Sequence, residues 1–314
     1  FFNDKFAGEI CDDILRRINN FSIPFVSRNG IFTSCLGCFE NALLDLAAKQ
    51  KGLPLYEFLN SENLDHAFKY YASGGSVIMS SEEIIDEIGI ISAQNFDGYK
   101  IRIGLKSWDE DMERVDAASR YNGYVMVDGI CGTRNPPYNL QEALSVSEYL
   151  IEKEIYWFEE PLHPDNYAEM KILQENSSIN IAAGEAYSGI GEFQNFINFA
   201  KTNYVQFDAC HSGGISSCRE INKLSKDRHK RTAIHVWGSA IAKLTNYHLA
   251  LSLDQLDFFE IPLIRLGIDE AFDCVIDSKD DLQKFIDKPG IGIDIEIENL
   301  HEIEFEPGSE YSWK

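Results

Sequence analysis

No run of about 18 apolar residues occurs in the 314-residue chain, so no membrane-spanning helix is expected. Basic residues are few: 28 Lys and Arg stand against 51 Asp and Glu, a net charge of -23 that argues against nucleic acid and anionic membrane surfaces as partners. An anionic substrate would therefore need cations gathered locally. Cysteine is too sparse for a disulfide scaffold. Its seven copies are an odd number scattered through a core-forming chain, which favours a reducing compartment. No low-complexity region, Ser/Gly linker or signal peptide is in view, although the chain opens at Phe1-Phe2 rather than at methionine, and a cytoplasmic protein is expected. What is present is ordinary globular material. At 44% hydrophobic and 25% charged residues, global disorder is excluded, and the length exceeds one small domain and falls short of three.

Short apolar runs alternate with amphipathic stretches. The runs are Lys69–Ser73, Gly98–Ile103, Tyr124–Asp128, Ile155–Glu159, Ile181–Glu185, Tyr204–Asp208, Thr232–His235 and Asp257–Glu260, and from the second onward their ends recur every 23 to 31 residues. That is the length of a strand, a helix and two short loops. Ser80 with Glu83 and Asn139 with Glu142 have the spacing of capping boxes, and Ile215, Cys218, Ile221 and Leu224 keep helical spacing after Gly213-Gly214. Eight such units predict an α/β fold of the TIM-barrel type more than an open sheet. A further helix is expected over Cys38–Gln50. The tail from Pro289 to Lys314, with its acidic stretch from Asp294 to Glu306, reads as extended, and both termini are expected to build a cap.

Active sites of such barrels collect at the C-terminal ends of the strands. Seven consecutive run ends carry ionisable residues: Lys100 with Arg102, Asp128, Glu159-Glu160, Glu185, Asp208, His235 and Glu260. One charge at a strand end is usually only solvated; seven in series are hard to dismiss. Asp128, Glu159 and Glu185 fall on adjacent strands, where three carboxylates would repel one another. A hard divalent cation resolves the repulsion, and oxygen-only ligands point to Mg2+ rather than zinc. Asp208 beside His235 would fix the imidazole tautomer, the arrangement of a general-base dyad. Lys100 and Arg102 share one strand face, and with Mg2+ they would receive an anion despite the net charge.

Taken together, Lys100-Ile-Arg102, Val127-Asp128, Trp157-Phe-Glu-Glu-Pro161, Ala183-Gly-Glu185, Asp208 and His235 resemble the enolase superfamily, in particular its mandelate racemase-like group (mandelate racemase and muconate lactonizing enzyme) and the acid-sugar dehydratases within it. Glu40-Asn-Ala-Leu-Leu-Asp45, Lys49 and Gly52-Leu-Pro-Leu55 resemble the end of that family's N-terminal cap, and Pro289-Gly-Ile-Gly292 its closing segment. The resemblance implies a modified TIM barrel, (β/α)7β, under an α+β capping domain whose N-terminal part is incomplete here. It divides the chain into 1–60 (cap remainder), 61–288 (barrel) and 289–314 (segment returning to the cap). It implies abstraction of a proton α to a carboxylate, giving a Mg2+-stabilised enediolate. By motif position Asp128, Glu159 and Glu185 would be metal ligands, His235 the base, Asp208 its orienter, and Glu260 a hydrogen-bonding group near the substrate carboxylate. The family often assembles into dimers or octamers, so a homo-oligomer is expected.

Three departures bear on the reaction. The second-strand pattern is often Lys-x-Lys, whose second lysine is a base; here that position is Arg102, a poor proton acceptor, so racemisation is disfavoured and dehydration, which needs one base, is favoured. The position two after Asp128, often Asn or His, is Ile130. The usual N-terminal strands of the cap are not visible before Phe1. The implied reaction is dehydration of a sugar acid to a 2-keto-3-deoxy sugar acid, with a racemase or epimerase of a 2-hydroxy acid, or an impaired sugar-acid binding protein, as alternatives. His211, Trp237 and Ser239 are candidates for the substrate's distal end.

Bland readings compete at several positions. Asp208 and His235 could be a structural rim pair. Glu160 could replace Glu159 as ligand, although alternation turns only one of them inward and motif position favours Glu159. Cys35-x-x-Cys38 has redox or zinc spacing without a second pair, and packing is the simpler reading. Gly213-Gly214 is read as a turn into a helix rather than a phosphate loop. His163, His229 and His301 are read as surface or loop residues.

Overall fold

Short apolar runs that cannot be covered alone, each followed by a capped amphipathic helix, close on themselves in the computed structural model, which describes residues 27–59, 67–264, 268–269 and 274–294. Expectations for the cap before residue 27, for the tail beyond 294 and for His301 lie outside the described residues. Two helices come first, α1 (Ile31–Lys51) and α2 (Leu55–Leu59). Then follow β1 (Lys69–Ser73), α3 (Ser81–Ser92), β2 (Gly98–Arg102), α4 (Trp108–Ala118), β3 (Tyr124–Asp128), α5 (Leu140–Glu152), β4 (Trp157–Glu159), α6 (Tyr167–Asn176), β5 (Asn180–Ala183) and α7 (Ile190–Phe199). The chain continues through β6 (Tyr204–Phe207), α8 (Gly214–Asp227), β7 (Arg231–Ile234), α9 (Ala240–Leu251), β8 (Phe258–Pro262) and α10 (Lys279–Ile286). The eight strands are parallel, run in sequence order and form a closed barrel, with seven helices on the crossovers between them: the (β/α)7β arrangement.

Local chemistry sets the element boundaries. The capping boxes at Ser80/Glu83 and Asn139/Glu142 are both formed, and a third, Ser107/Glu110, has the same Ser-x-x-Glu spacing. Two strands differ from the sequence reading in a way that matters for the site. β5 stops at Ala183, because Gly184 takes φ 149°, where a side chain would run into the main chain of Gln206; Glu185 is therefore on the turn, not on the strand. β8 runs on to Pro262, which leaves Glu260 mid-strand rather than at its end. α1 begins at Ile31, earlier than expected, so Cys35 and Cys38 lie within the helix.

Alternation along the strands separates two layers inside the barrel. Tyr71, Met126, Trp157, Ala182, Tyr204, Ala233 and Phe258 form a buried apolar floor. The Trp157 ring meets Tyr71 at 5.4 Å and Phe258 at 5.4 Å, both edge-on. Two residues farther along the same faces come Ser73, Asp128, Glu159, Gln206, His235 and Glu260, so the polar layer sits directly on the floor. The register aligns Arg102 with Asp128, and Asp128 with Glu159, across three neighbouring strands.

Outside the barrel, α1 packs on α8. Gly37 faces the backbone of Gly213 and Gly214 so closely that a Cβ at 37 would overlap Gly214 N. Glu40 is buried beside Gly214, at the start of α8. Gly213-Gly214 is thus a close helix contact that already holds a carboxylate. The C-terminal segment meets the same region: Leu55 N donates to Gly290 O at 2.8 Å, Gly290 N to Leu53 O at 2.9 Å, and Lys49 Nζ to Ile293 O at 2.7 Å. By length and composition α1 could cross a membrane, with mean hydropathy 1.3 in its best window. The reading counted unbroken apolar runs, whereas the window averages over scattered polar residues, several of which face α8 and the barrel.

Phe258→Ala would open a cavity in the floor and is expected to cost about 3–5 kcal/mol of stability. A urea unfolding curve with an unchanged midpoint would show that the floor is not the packed core described.

Candidate active site

The mouth of the barrel gathers the residues singled out at the run ends, with the exception of Glu160. Asp128 and Glu159 are the last residues of β3 and β4, and Glu185 reaches in from the turn opened by Gly184. One carboxylate oxygen from each lies within 4.8 Å of the other two, the only such group of His, Cys, Asp or Glu ligands among the described residues. Three convergent carboxylates with no nitrogen or sulfur donor suit a hard divalent cation. Two of them are held by hydrogen bonds. Asp128 Oδ1 accepts from Ile130 N at 2.7 Å, and Ile130 adopts φ 44°, an uncommon conformation for a β-branched residue. Position 130 therefore serves Asp128 through its backbone. Trp157 Nε1 donates to Glu159 Oε2 at 3.0 Å. Glu160, also at positive φ (40°), turns to the backbone N–H of Gly132 at 3.0 Å and stays outside the three-carboxylate group. Burial, with Glu185 and Asp128 nearby, pushes its carboxyl well above the usual range. Burial also raises Asp128, to about 6, and raises Glu159.

Lys100, fully buried, lies at the centre. Its Nζ is 2.6 Å from Glu159 Oε1, 2.9 Å from Glu260 Oε1 and 3.9 Å from Asp128 Oδ2. Burial disfavours the ammonium, but the three carboxylates overcome that and raise its pKa. Glu260 Oε2 accepts from Val236 N at 2.9 Å, and although burial opposes it, Lys100, His235 and Arg102 pull its carboxyl down to about 2. Arg102 is pinned: Nη1 donates to Gly74 O and Nη2 to Ser73 Oγ, each at 3.0 Å, Nε lies 3.9 Å from Asp128, and the guanidinium stacks 4.9 Å from the Trp237 ring.

Across the mouth, His235 Nδ1 lies 3.0 Å from Asp208 Oδ2, and its Nε2 is 3.4 Å from Glu185 Oε2. Asp208 Oδ1 accepts from Cys210 N at 2.7 Å and Asn246 Nδ2 at 2.8 Å. With both oxygens accepting, Asp208 orients the imidazole so that Nε2 faces the carboxylate group. Burial opposes protonation of His235, but Glu185, the Asp208 hydrogen bond and Glu260 push its pKa up to about 10.

Sequence reasoning missed Ser73, Trp157, Asn246 and the backbone of Ile130 as contributors. Trp157 was legible, since Trp-x-Glu on a strand puts both side chains on one face; Asn246, on α9, carried no signal. Of the candidates for a distal end, Trp237 is brought to the mouth. His211 instead meets Ser34 of α1, and Ser239 precedes α9 without a side-chain cap bond.

A family model described as enolase C-terminal domain-like matches residues 83–299. The arabinonate dehydratase of Saccharolobus solfataricus is 28% identical over 274 residues, spanning 85% of this chain and 71% of that protein. Among solved structures, the 3,6-anhydro-D-galactonate cycloisomerase from Zobellia galactanivorans is similar with a TM-score of 0.76 at 22% identity, over 94% of this chain and 81% of that one. A racemase from Streptomyces coelicolor with bound magnesium gives a TM-score of 0.77 at 19% identity, over 95% and 78%. At these identities the two structures share the fold.

The raised His235 pKa has a stability consequence whose sign is fixed. A histidine raised from 6.5 to about 10 stabilises the fold fully below pH 6.5, and that contribution is lost as pH rises towards 10. In chelator, the Tm difference between the native protein and His235→Asn is therefore expected to be largest near pH 6 and to shrink through pH 9. A difference that does not vary with pH would contradict the described contacts.

Proposed function

The chain belongs to the enolase C-terminal domain-like family, and from that premise we propose that it dehydrates a sugar acid to a 2-keto-3-deoxy sugar acid, taking the proton α to the carboxylate and expelling a β-hydroxyl as water. The observation that carries this reading is the asymmetry of the mouth. One side has a built base, His235 held by Asp208; the other has Arg102, whose guanidinium is engaged by Ser73, Gly74 and Trp237. Stereochemical inversion needs a proton acceptor on each face of the α-carbon, whereas β-elimination needs one. A guanidinium stays charged, so Arg102 serves as a fixed cation for the substrate's carboxylate.

The carboxylates of Asp128, Glu159 and Glu185 suit Mg2+ by number, charge and oxygen chemistry. Bound by them, Mg2+ would supply positive charge where the substrate carboxylate gains electron density, and would offset the acidic charge that raises His235. His235 Nε2 takes the α-proton while Nδ1–H donates to Asp208, whose second oxygen stays held by Cys210 N and Asn246. The electron pair of the broken C–H bond forms the carbon–carbon double bond, and the β C–O bond breaks with its pair on oxygen. The imidazolium returns the proton to that oxygen, which leaves as water; the enol then tautomerises to the 2-keto product. Lys100 contributes a second fixed cation, and Glu260, 2.9 Å from its Nζ, orients it. The binding-protein alternative would fit a His235 turned out of the site; Nε2 instead faces Glu185 at 3.4 Å.

The reading is tested with a stereochemically complete panel of mono- and diacid sugars in the presence of Mg2+. One stereochemical group is expected to give a 2-keto product, and His235→Asn to lower kcat by about 10²–10⁴-fold. Solvent deuterium at the α-carbon without loss of water would replace dehydration by epimerisation. Neither product nor exchange, with Mg2+ bound, would leave a binding protein.

A further inference from the structure

The loop from Asp208 to Ser212 carries the residue that orients His235, yet it lies between β6 and α8 and belongs to neither. Buried backbone groups in such a loop need partners from elsewhere. Some are internal or come from the barrel. His211 N and Ser212 N donate to Asp208 O, Cys210 N donates to Asp208 Oδ1, Asp208 N donates to Ser212 Oγ, and Ala209 N donates to Asn246 Oδ1. Of the four carbonyls left, Ser212 O accepts from Gly189 N at 3.0 Å, and the other three, in succession, are each met by a side chain of α1. Asn41 Nδ2 donates to Ala209 O at 2.9 Å, Cys38 Sγ to Cys210 O at 3.6 Å, and Ser34 Oγ to His211 O at 2.9 Å. Positions 34, 38 and 41 are spaced i, i+4, i+7, one face of a helix. Gly37, on the same face, lets the helix come this close, and Asn41 Oδ1 also accepts from Ile215 N at 3.1 Å.

We infer that α1 is a positioning element for the dyad, with Ser34, Cys38 and Asn41 clamping the loop that aims Asp208 at His235. The helix lies outside residues 83–299, the span of the family match. The inference rests on the reading of Asp208 and His235 as the base. It also gives the Cys35-x-x-Cys38 pair a division of roles: both are exposed, but it is Cys38 whose thiol reaches the loop.

The test compares variants that delete a donor with variants that keep it. Asn41→Leu, and Ser34→Ala combined with Cys38→Ala, are expected to lower kcat about tenfold with KM within about twofold, since a small misplacement of a catalytic group costs rate rather than binding. Ser34→Thr and Cys38→Ser, which keep a hydroxyl donor, are expected to recover most of the rate, and Cys35→Ala to match the native protein. Hydrogen exchange at the amides of 209–212 supplies a readout without substrate, and faster exchange in the deletion variants is expected. Protection unchanged, or a lower Tm with the loop amides still protected and kcat intact, overturns the clamp. If no sugar acid is turned over by the native protein, the functional reading fails, while the exchange measurement still decides whether the clamp exists. If Asn41→Leu does not fold, the pair at 34 and 38, neither of them core residues, carries the comparison.

Discussion

Lys100 Nζ sits with no exposure to solvent between Glu159 at 2.6 Å and Glu260 at 2.9 Å, and the organisation of the mouth follows from that placement. Carboxylates buried on neighbouring strands cannot all carry charge without a compensating cation among them, and stranding one by removing its partner typically costs about 3–5 kcal/mol. Lys100 ties β2 to β4 and β8 across the barrel. It also shares Glu159 with the three-carboxylate group, so the ammonium and any divalent cation held there act on the same oxygens. Arg102, one strand-step farther out, is fixed by main-chain and hydroxyl acceptors and by an aromatic face. The two cations are thus part of the framework, and under the proposed reaction the proton chemistry falls to His235.

The opposite side of the mouth is built on a different principle. Asp208 is set by complete satisfaction of its surroundings: both carboxylate oxygens and the polar groups of the following loop have named partners. Some partners come from α9 and some from α1, which is no part of the barrel. Charge balance fixes one half of the site and hydrogen-bond satisfaction the other, so the two halves should respond differently to side-chain truncation: losing Lys100 strands buried charge, whereas losing a loop donor strands a neutral carbonyl.

Much of this was legible along the chain because strand alternation is a local rule. Lys100, Asp128, Glu159, Asp208 and His235 could be picked out as run ends, and the repeat length gave the barrel. Glu185 and Glu260 were found for a partly mistaken reason, as strand termini; one lies on a turn beyond Gly184 and the other mid-strand. Strand ends depend on neighbouring strands, and the collision that obliges Gly184 to be glycine is with Gln206, on β6. Asn246, Ser73 and the donors of α1 were invisible, since each acts on residues far away in the chain. Ile130 was read for its side chain when its N–H was the relevant group, a distinction that only the backbone conformation reveals.

The aromatic floor has a consequence for traffic. Tyr71, Trp157, Tyr204 and Phe258 fill the barrel beneath the polar layer with less than 2% exposure each, so the barrel is a cup and not a pipe. Whatever reaches the carboxylates and His235 has to come and go by the same rim. A cation and any small molecule seated above the floor then share one doorway, and the last to leave decides when the next can enter.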